Sequence, residues 1–291
     1  ADALTAHGVQ VGDRVATLAW NGYRHMEVYY AVGGMGSVIH TINPRLHPEQ
    51  IAWIVNHAED RVLIYDAVFA PIVERLRGGW PCVEQFICFD SAAHDLSFDD
   101  WIGAEDGNTE WTEGSERDPC MLCYTSGTTG NPKGVLFEHR SNMLHTYAAI
   151  MPQCLDLDAR SVVLPVVPMF HANNWGFPWA AAAVGAKLVY SATNDPAVLC
   201  DLIHNEGVTY LAGVPTVWLG VLQHCDAKDE PLPPLTNALT GGSAMPRAMN
   251  DGLVTRMSSP TSCTLLPSFS LISFQPFQSS SEQPSSIETI G

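Results

Sequence analysis

Residues 124–134 read Tyr124-Thr125-Ser126-Gly127-Thr128-Thr129-Gly130-Asn131-Pro132-Lys133-Gly134. Hydroxyls, glycines and one lysine at this spacing are suited to holding a chain of phosphates. Gly127, Gly130 and Gly134 have no side chain, so backbone N–H groups can approach an anion closely. Ser126, Thr128 and Thr129 add hydroxyl donors, Lys133 adds a mobile positive charge, and Pro132 stiffens the turn before it. The loop is not of the Walker A type, which needs four residues between its glycines and a Ser or Thr after its lysine. Here only Thr128 and Thr129 separate Gly127 from Gly130, and Gly134 follows Lys133. A flexible Ser/Thr/Gly linker is the plain alternative, but linkers do not place Pro-Lys-Gly after such a run.

The neighbouring pattern says how the loop is held. An apolar strand over 120–124 precedes it, and a helix is expected over 140–151. A loop between strand and helix sits at the end of a parallel sheet, where α/β proteins bind ligands. Upstream, strands over 14–20, 37–42, 61–65 and 82–89 alternate with helices over 23–34, 48–58 and 67–76. Residues 91–118 are polar and acidic and read as a connection carrying a short helix. Downstream, strands over 161–167, 187–190, 210–213 and 238–240 alternate with helices over 175–184, 196–206 and 216–223. The β-α-β order implies parallel sheets covered by helices. The expected fold class is α/β, with two associated parallel-sheet subdomains at 1–117 and 118–257 and a tail at 258–291. That tail is rich in Ser and Pro and carries only Glu282 and Glu288 as charges, so it is expected to be disordered.

Composition excludes several functions. The 291 residues include 14 Lys and Arg against 31 Asp and Glu, a formal charge of −17. A nucleic-acid surface needs a basic stripe and an anionic membrane attracts basic segments, so neither is an expected partner. No apolar run is long enough to span a bilayer. The eight cysteines form no framework, and Cys120-x-x-Cys123 lies inside an apolar strand, so both thiols are expected buried and reduced in a cytoplasmic protein. The chain opens inside a helix without Met, which reads as an N-terminal truncation that leaves any targeting segment undecided.

The loop resembles the signature of the AMP-forming adenylating superfamily, which includes acyl-CoA synthetases, luciferases and peptide-synthetase adenylation domains. Other segments agree in order and spacing: Asn43-Pro44-Arg45-Leu46, the run Val167 through Gly176 with Phe170-His171 and Trp175, Gly213-Val214-Pro215-Thr216-Val217-Trp218, and Gly241-Gly242-Ser243-Ala244-Met245-Pro246. The wording tilts toward medium- and long-chain fatty-acyl-CoA ligases, including methylthiopropionate-type relatives. The resemblance implies ATP, Mg²⁺, CoA and a carboxylic acid as partners, and a homodimer is compatible with it. Thr125 would help hold Mg²⁺, while Ser126, Gly127, Thr128, Thr129, Gly130 and Lys133 would bind phosphates. His171 would meet the acyl carboxylate and α-phosphate, although a satisfied core histidine is the bland reading. Trp175 would gate an acyl tunnel or merely pack. Gly242, Ser243 and Ala244 would line the adenine and acyl pocket, or form a simple turn.

Beyond Met249 the family pattern stops. The aromatic-Gly-x-x-Thr-Glu element, the ribose-binding Asp and the C-terminal lid with its adenylation lysine are not found in this sequence. Three readings stand: an acyl-CoA ligase represented by a fragment that does not complete catalysis, a non-catalytic nucleotide- or acyl-binding module, or an adenylating enzyme that swaps CoA for a carrier-protein thiol or for oxidative chemistry.

Overall fold

The computed structural model describes residues 1–90, 95–125, 132–233 and 235–242, and a strand at 287–290. From the N-terminus, α1 (Asp2–Ala6) leads to β1 (Arg14–Leu18), α2 (Tyr23–Gly34), β2 (Val38–Thr41), α3 (Pro48–Ala58) and β3 (Asp60–Tyr65). A 3-10 turn at Ala67–Phe69 precedes α4 (Ala70–Leu76); β4 (Gln85–Cys88), β5 (Leu96–Ser97), α5 (Phe98–Gly103), β6 (Pro119–Thr125) and β7 (Lys133–Glu138) follow. Then come α6 (His139–Ile150), β8 (Val162–Pro165), α7 (Phe177–Val184), β9 (Lys187–Leu188), α8 (Pro196–Asn205) and β10 (Tyr210–Gly213). The last elements are α9 (Pro215–Lys228), β11 (Asn237–Thr240) and β12 (Ile287–Ile290).

The described chain divides into two compact units. The first contains Ala1–Met143, Met169–Asn173 and β12. Its sheet runs β12-β7-β6-β2-β1-β3-β4-β5, and every ladder in it is parallel except β6–β7. On one face, Ala16, Leu63 and Tyr65 of the strands meet Ile51 and Val55 of α3 and Val73 of α4. The ends of α3 are written locally. His47 accepts from the Glu49 N–H while the Gln50 side chain accepts from the His47 N–H, Pro48 opens the first turn, and Glu59 closes the helix at a φ of 52°.

The second unit contains Leu144–Pro168 and the described chain from Asn174 to Gly242. Its sheet is parallel, in the order β11-β10-β8-β9. α8 starts where the Asp195 carboxylate accepts from the Ala197 and Val198 N–H groups at 2.9 and 3.3 Å. α8 and α9 bury Leu199, Ile203, Trp218 and Val221 against Leu211 and Ala238 of the sheet. Gly213 makes that packing achievable, since a Cβ there would overlap Val166 and lie 2.8 Å from the Trp218 ring.

Several expectations change. The boundary at 117/118 does not match the division found, because β6 pairs in parallel with β2 (His40↔Leu122) and so belongs to the first sheet. Residues 133–138, which lie between the expected strand and the expected helix, form β7 antiparallel to β6, since Val135, Leu136 and Phe137 find a strand edge to pair with before the helix begins. Within the tail expected to be disordered, Ile287–Ile290, all β-branched but for Glu288, adds to the outer edge of β7; the remainder of 258–291 lies outside the described residues. Cys120 and Cys123 are both buried in β6, and burial pushes each thiol up to about 12.

Trp218 is fully buried, and its indole N–H has no hydrogen-bond partner among the described residues. Its energetic role is therefore volume and apolar contact. Trp218→Ala is expected to cost about 3–5 kcal/mol, and Trp218→Phe less than half of that because it removes the unpaired donor as well as some volume. Urea denaturation of the two variants checks the order.

Candidate functional site

In the first unit the connections step outward from β1, to β2 on one side and from there back to β3 on the other. Where strand order reverses in this way, the carboxyl ends of the strands leave a crevice. That edge of the sheet carries Trp20-Asn21 after β1, Ile42-Asn43 after β2, Asp66 after β3 and Thr125 at the end of β6. Because β7 runs antiparallel to β6, its first residue falls on the same edge. Thr125 pairs with Lys133 as the last rung of the ladder, and both side chains are exposed. Residues 126–132 join these two strands in sequence. Ser126, Gly127, Thr128, Thr129 and Gly130 lie outside the described residues, so the structure locates the two ends of this loop, Thr125 and Lys133.

Met169–Asn173 lies against this edge. The Met169 N–H donates to Asn21 Oδ1 at 2.7 Å, and the Tyr29 hydroxyl donates to the Met169 carbonyl at 2.5 Å. Thr41 Oγ1 lies 3.5 Å from Asn173 Oδ1. Phe170 packs on Trp20, and the Arg45 guanidinium sits over both rings, 5.4 and 5.7 Å from their centroids. Such cation–π contacts hold the guanidinium in place while leaving its charge directed to solvent. Among the described residues Arg45 makes no ion pair with a carboxylate, although the chain is strongly acidic.

His171 follows directly. Part of its side chain meets solvent, yet the surrounding protein withdraws enough water to hold its pKa below the ordinary 6.5, and the positive charge of Arg45 lowers it further. A histidine in that state is neutral at pH 7 and offers one N–H donor and one lone pair. Asp66, whose carboxylate accepts the Trp20 N–H at 2.6 Å, is pushed up to about 6 by burial.

The chain then takes an uncommon path. Ala172, Asn173, Asn174 and Trp175 have φ of 44°, 51°, 58° and 54°, and Gly176 follows at 79°. A run of left-handed residues costs about 1–2 kcal/mol at each ordinary position, and Asn is among the most tolerant side chains there. The Asn174 side-chain amide donates to the Val167 carbonyl, which closes the turn from within. The helix expected from residue 175 therefore begins at Phe177, because the left-handed turn has to unwind at Gly176 before a right-handed helix can start.

In the second unit Trp175 and the Gly241-Gly242 pair come together. A Cβ on Gly241 would meet the Trp175 ring at 2.8 Å, so the absent side chain leaves room for the indole. Gly241 and Gly242 follow the carboxyl end of β11, beside Val214 at the end of β10, and Gly242 has a φ of 82°. Ser243 and Ala244 lie outside the described residues. Thr125, Lys133 and His171 thus belong to the first unit, and Trp175 and Gly242 to the second. Sequence reasoning did not single out Asn21, Tyr29 or Trp20, since each gains its role from a segment about 140 residues away and no local spacing marks it. Arg45 lies in the Asn43-Pro44-Arg45-Leu46 segment, where spacing alone does not mark it as a neighbour of His171.

The fold is that of the N-terminal domain of adenylate-forming enzymes. The chain belongs to the AMP-binding enzyme family, whose profile matches residues 1–265. It is 48% identical over 261 residues to the medium-chain-fatty-acid–CoA ligase of Ectopseudomonas oleovorans, covering 86% of this chain and 47% of that protein. It is 47% identical over 249 residues to the long-chain-fatty-acid–CoA ligase of Thermus thermophilus, covering 84% of this chain and 46% of that one. The anthranilate CoA ligase AuaEII, solved with anthranoyl-AMP, superposes with a TM-score of 0.78 at 25% identity, over 88% of this chain and 50% of the other. The chain spans about half the length of the curated relatives it matches.

Two outcomes test the geometry. Arg45→Gln removes the neighbouring charge, so the His171 pKa rises toward 6.5 in a titration of its ring proton by NMR; an unmoved titration would separate the two side chains. Gly241→Ala forces the Trp175 ring to shift, with a stability loss of about 1–3 kcal/mol and a changed tryptophan emission spectrum.

Proposed function

We propose that the protein activates a fatty acid with ATP and passes the acyl group to coenzyme A. In the first step a carboxylate oxygen attacks the α-phosphorus, the bond from that phosphorus to the bridging oxygen breaks, and pyrophosphate leaves from the acyl-adenylate. In the second the CoA thiol, losing its proton, displaces AMP to give the thioester. The observation that carries this reading is the Thr125–Lys133 rung, which sets a hydroxyl and an ammonium side by side on the ligand edge of the sheet. Family membership and the fatty-acid ligase names of the two relatives support the choice of substrate.

Two anionic groups must approach each other, so the chain's task is to place and neutralise charge. Lys133 supplies a cation for the phosphates, and Ser126, Thr128 and Thr129 supply hydroxyl donors. Neutral His171 offers its N–H where the carboxylate and α-phosphate meet, with Arg45 adding positive potential. Trp175 presents an aromatic wall to the acyl chain, with Gly242, Ser243 and Ala244 at the adenine side.

Mg²⁺ fits the donor set as a companion of the nucleotide. Among the described residues no group of three or more His, Cys, Asp or Glu could hold a metal, and the exposed Thr125 hydroxyl would add one oxygen to an ion held mainly by the nucleotide. When bound, with the Thr125 hydroxyl helping to hold it, Mg²⁺ would supply positive charge that offsets the charge developing on the leaving pyrophosphate. No helix among the described residues is long and apolar enough to cross a membrane.

The test is calorimetric binding of MgATP to the purified chain, followed by ATP–pyrophosphate exchange with a series of straight-chain fatty acids. Lys133→Ala is expected to raise the MgATP Kd at least about tenfold, the range for a charge-assisted hydrogen bond. Binding with no exchange for any acid would favour a nucleotide-binding module without turnover. A Kd insensitive to Lys133→Ala would overturn the assignment of the loop.

A further inference from the structure

A cluster of polar and aromatic side chains lies beneath the stem of the phosphate loop, and the proposed reaction assigns it no role. His40 stands in β2 and Asp60 opens β3; both side chains are completely buried. One ring nitrogen of His40, Nδ1, lies 2.9 and 2.8 Å from the two carboxylate oxygens of Asp60. Its other nitrogen, Nε2, is buried without a hydrogen-bond partner among the described residues. The orientation of the His40 ring is therefore set from the Asp60 side. Burial raises the Asp60 pKa, and His40 works against that rise.

Tyr124, the residue before Thr125, packs on this ring with centroids 5.2 Å apart. Its hydroxyl reaches out of the sheet to α3, where it lies 2.7 Å from His57 Nδ1. His57 is stacked in turn on Trp53, one turn earlier in α3, with centroids 4.4 Å apart. Trp53 also meets the Tyr124 ring edge-on. α3 itself is anchored by the fully buried Ile51, Ile54 and Val55. Tyr124 is thus held against the sheet by His40 and at its tip by a helix that cannot easily move.

This is more than packing requires. A phenylalanine would fill the same space, but only the hydroxyl ties the strand end to α3. The tie acts one residue before the glycine-rich loop begins. Glycines lose the most conformational freedom on ordering, and a cradle of N–H groups works best when it needs little rearrangement to meet its anion.

We propose that Tyr124 and His57, seated on the His40–Asp60 pair, are positioning residues that brace the stem of the phosphate loop and so strengthen triphosphate binding. The inference rests on the nucleotide-binding reading of the loop. Tyr124→Phe and His57→Ala each raise the Kd for MgATP about fivefold, the loss of one ordinary hydrogen bond of about 1 kcal/mol at 1.4 kcal/mol per tenfold. The double variant is no weaker than either single one, because both remove the same bond. His57→Asn, which keeps an amide group near the position of Nδ1, returns the Kd to within twofold of the parent. Ile203→Val in the second unit's core serves as the control for general destabilisation, and it leaves the Kd unchanged.

A Kd within twofold of the parent in Tyr124→Phe, or losses that multiply in the double variant, overturns the proposal. If the parent binds MgATP and Lys133→Ala weakens it while Tyr124→Phe does not, only this inference falls. If the parent does not bind MgATP, the reading of the loop falls and the brace with it.

Discussion

The arrangement depends on β6. This strand is tied in parallel to β2 on one side and antiparallel to β7 on the other. The first pairing fixes Thr125 on the edge where the carboxyl ends of β1, β2 and β3 also finish. The second turns the chain back so that Lys133 arrives beside Thr125. In an otherwise parallel ladder, one antiparallel return is the geometry that lets the two ends of a short loop meet at the same sheet edge. Had residues 133–138 entered a helix directly, nothing in the sheet would pin the lysine next to the threonine.

The region around His171 shows a different kind of control. Its backbone is set by contacts of the preceding residues, chiefly Asn21 and Tyr29 on Met169, and is then carried through a left-handed turn. Residues in that conformation persist only when their surroundings over-determine them, and such places cluster where ligands are handled. The two asparagines make the turn less costly, and the Asn174–Val167 hydrogen bond closes it. Arg45 shows the same economy of means. Its guanidinium rests on Trp20 and Phe170, and among the described residues it pairs with no carboxylate, so it adds positive charge beside His171.

Much of the element order was legible because the signals are local. α2 and α3 begin and end where their apolar spacing, Pro48 and the chain reversals indicate, and β10 falls on the residues read as a strand. Failures came where a segment's state depends on what lies next to it. Val135-Leu136-Phe137 is short and apolar and carries no periodicity that separates strand from helix; the free edge of β6 decides it. Ile287–Ile290 ends a Ser/Pro-rich stretch and becomes a strand because β7 offers it an edge. The division between units also escaped a linear reading, since Met169–Asn173 returns to the first unit from the middle of the second.

From its residues alone the chain determined the donor groups its loop carries, the alternation of strands and helices, and its acidic charge balance. These follow from side-chain type and from periodicities of a few residues, which need no knowledge of distant contacts. The tertiary structure alone decided that Lys133 opposes Thr125, that Arg45 stands next to His171, that Trp175 lies against Gly241, and that Tyr124 is tied to His57. Apart from the short return that brings Lys133 to Thr125, each of these is a pairing across many residues of chain. It is fixed by which strand edges and helix faces bury each other, and no local propensity encodes that choice.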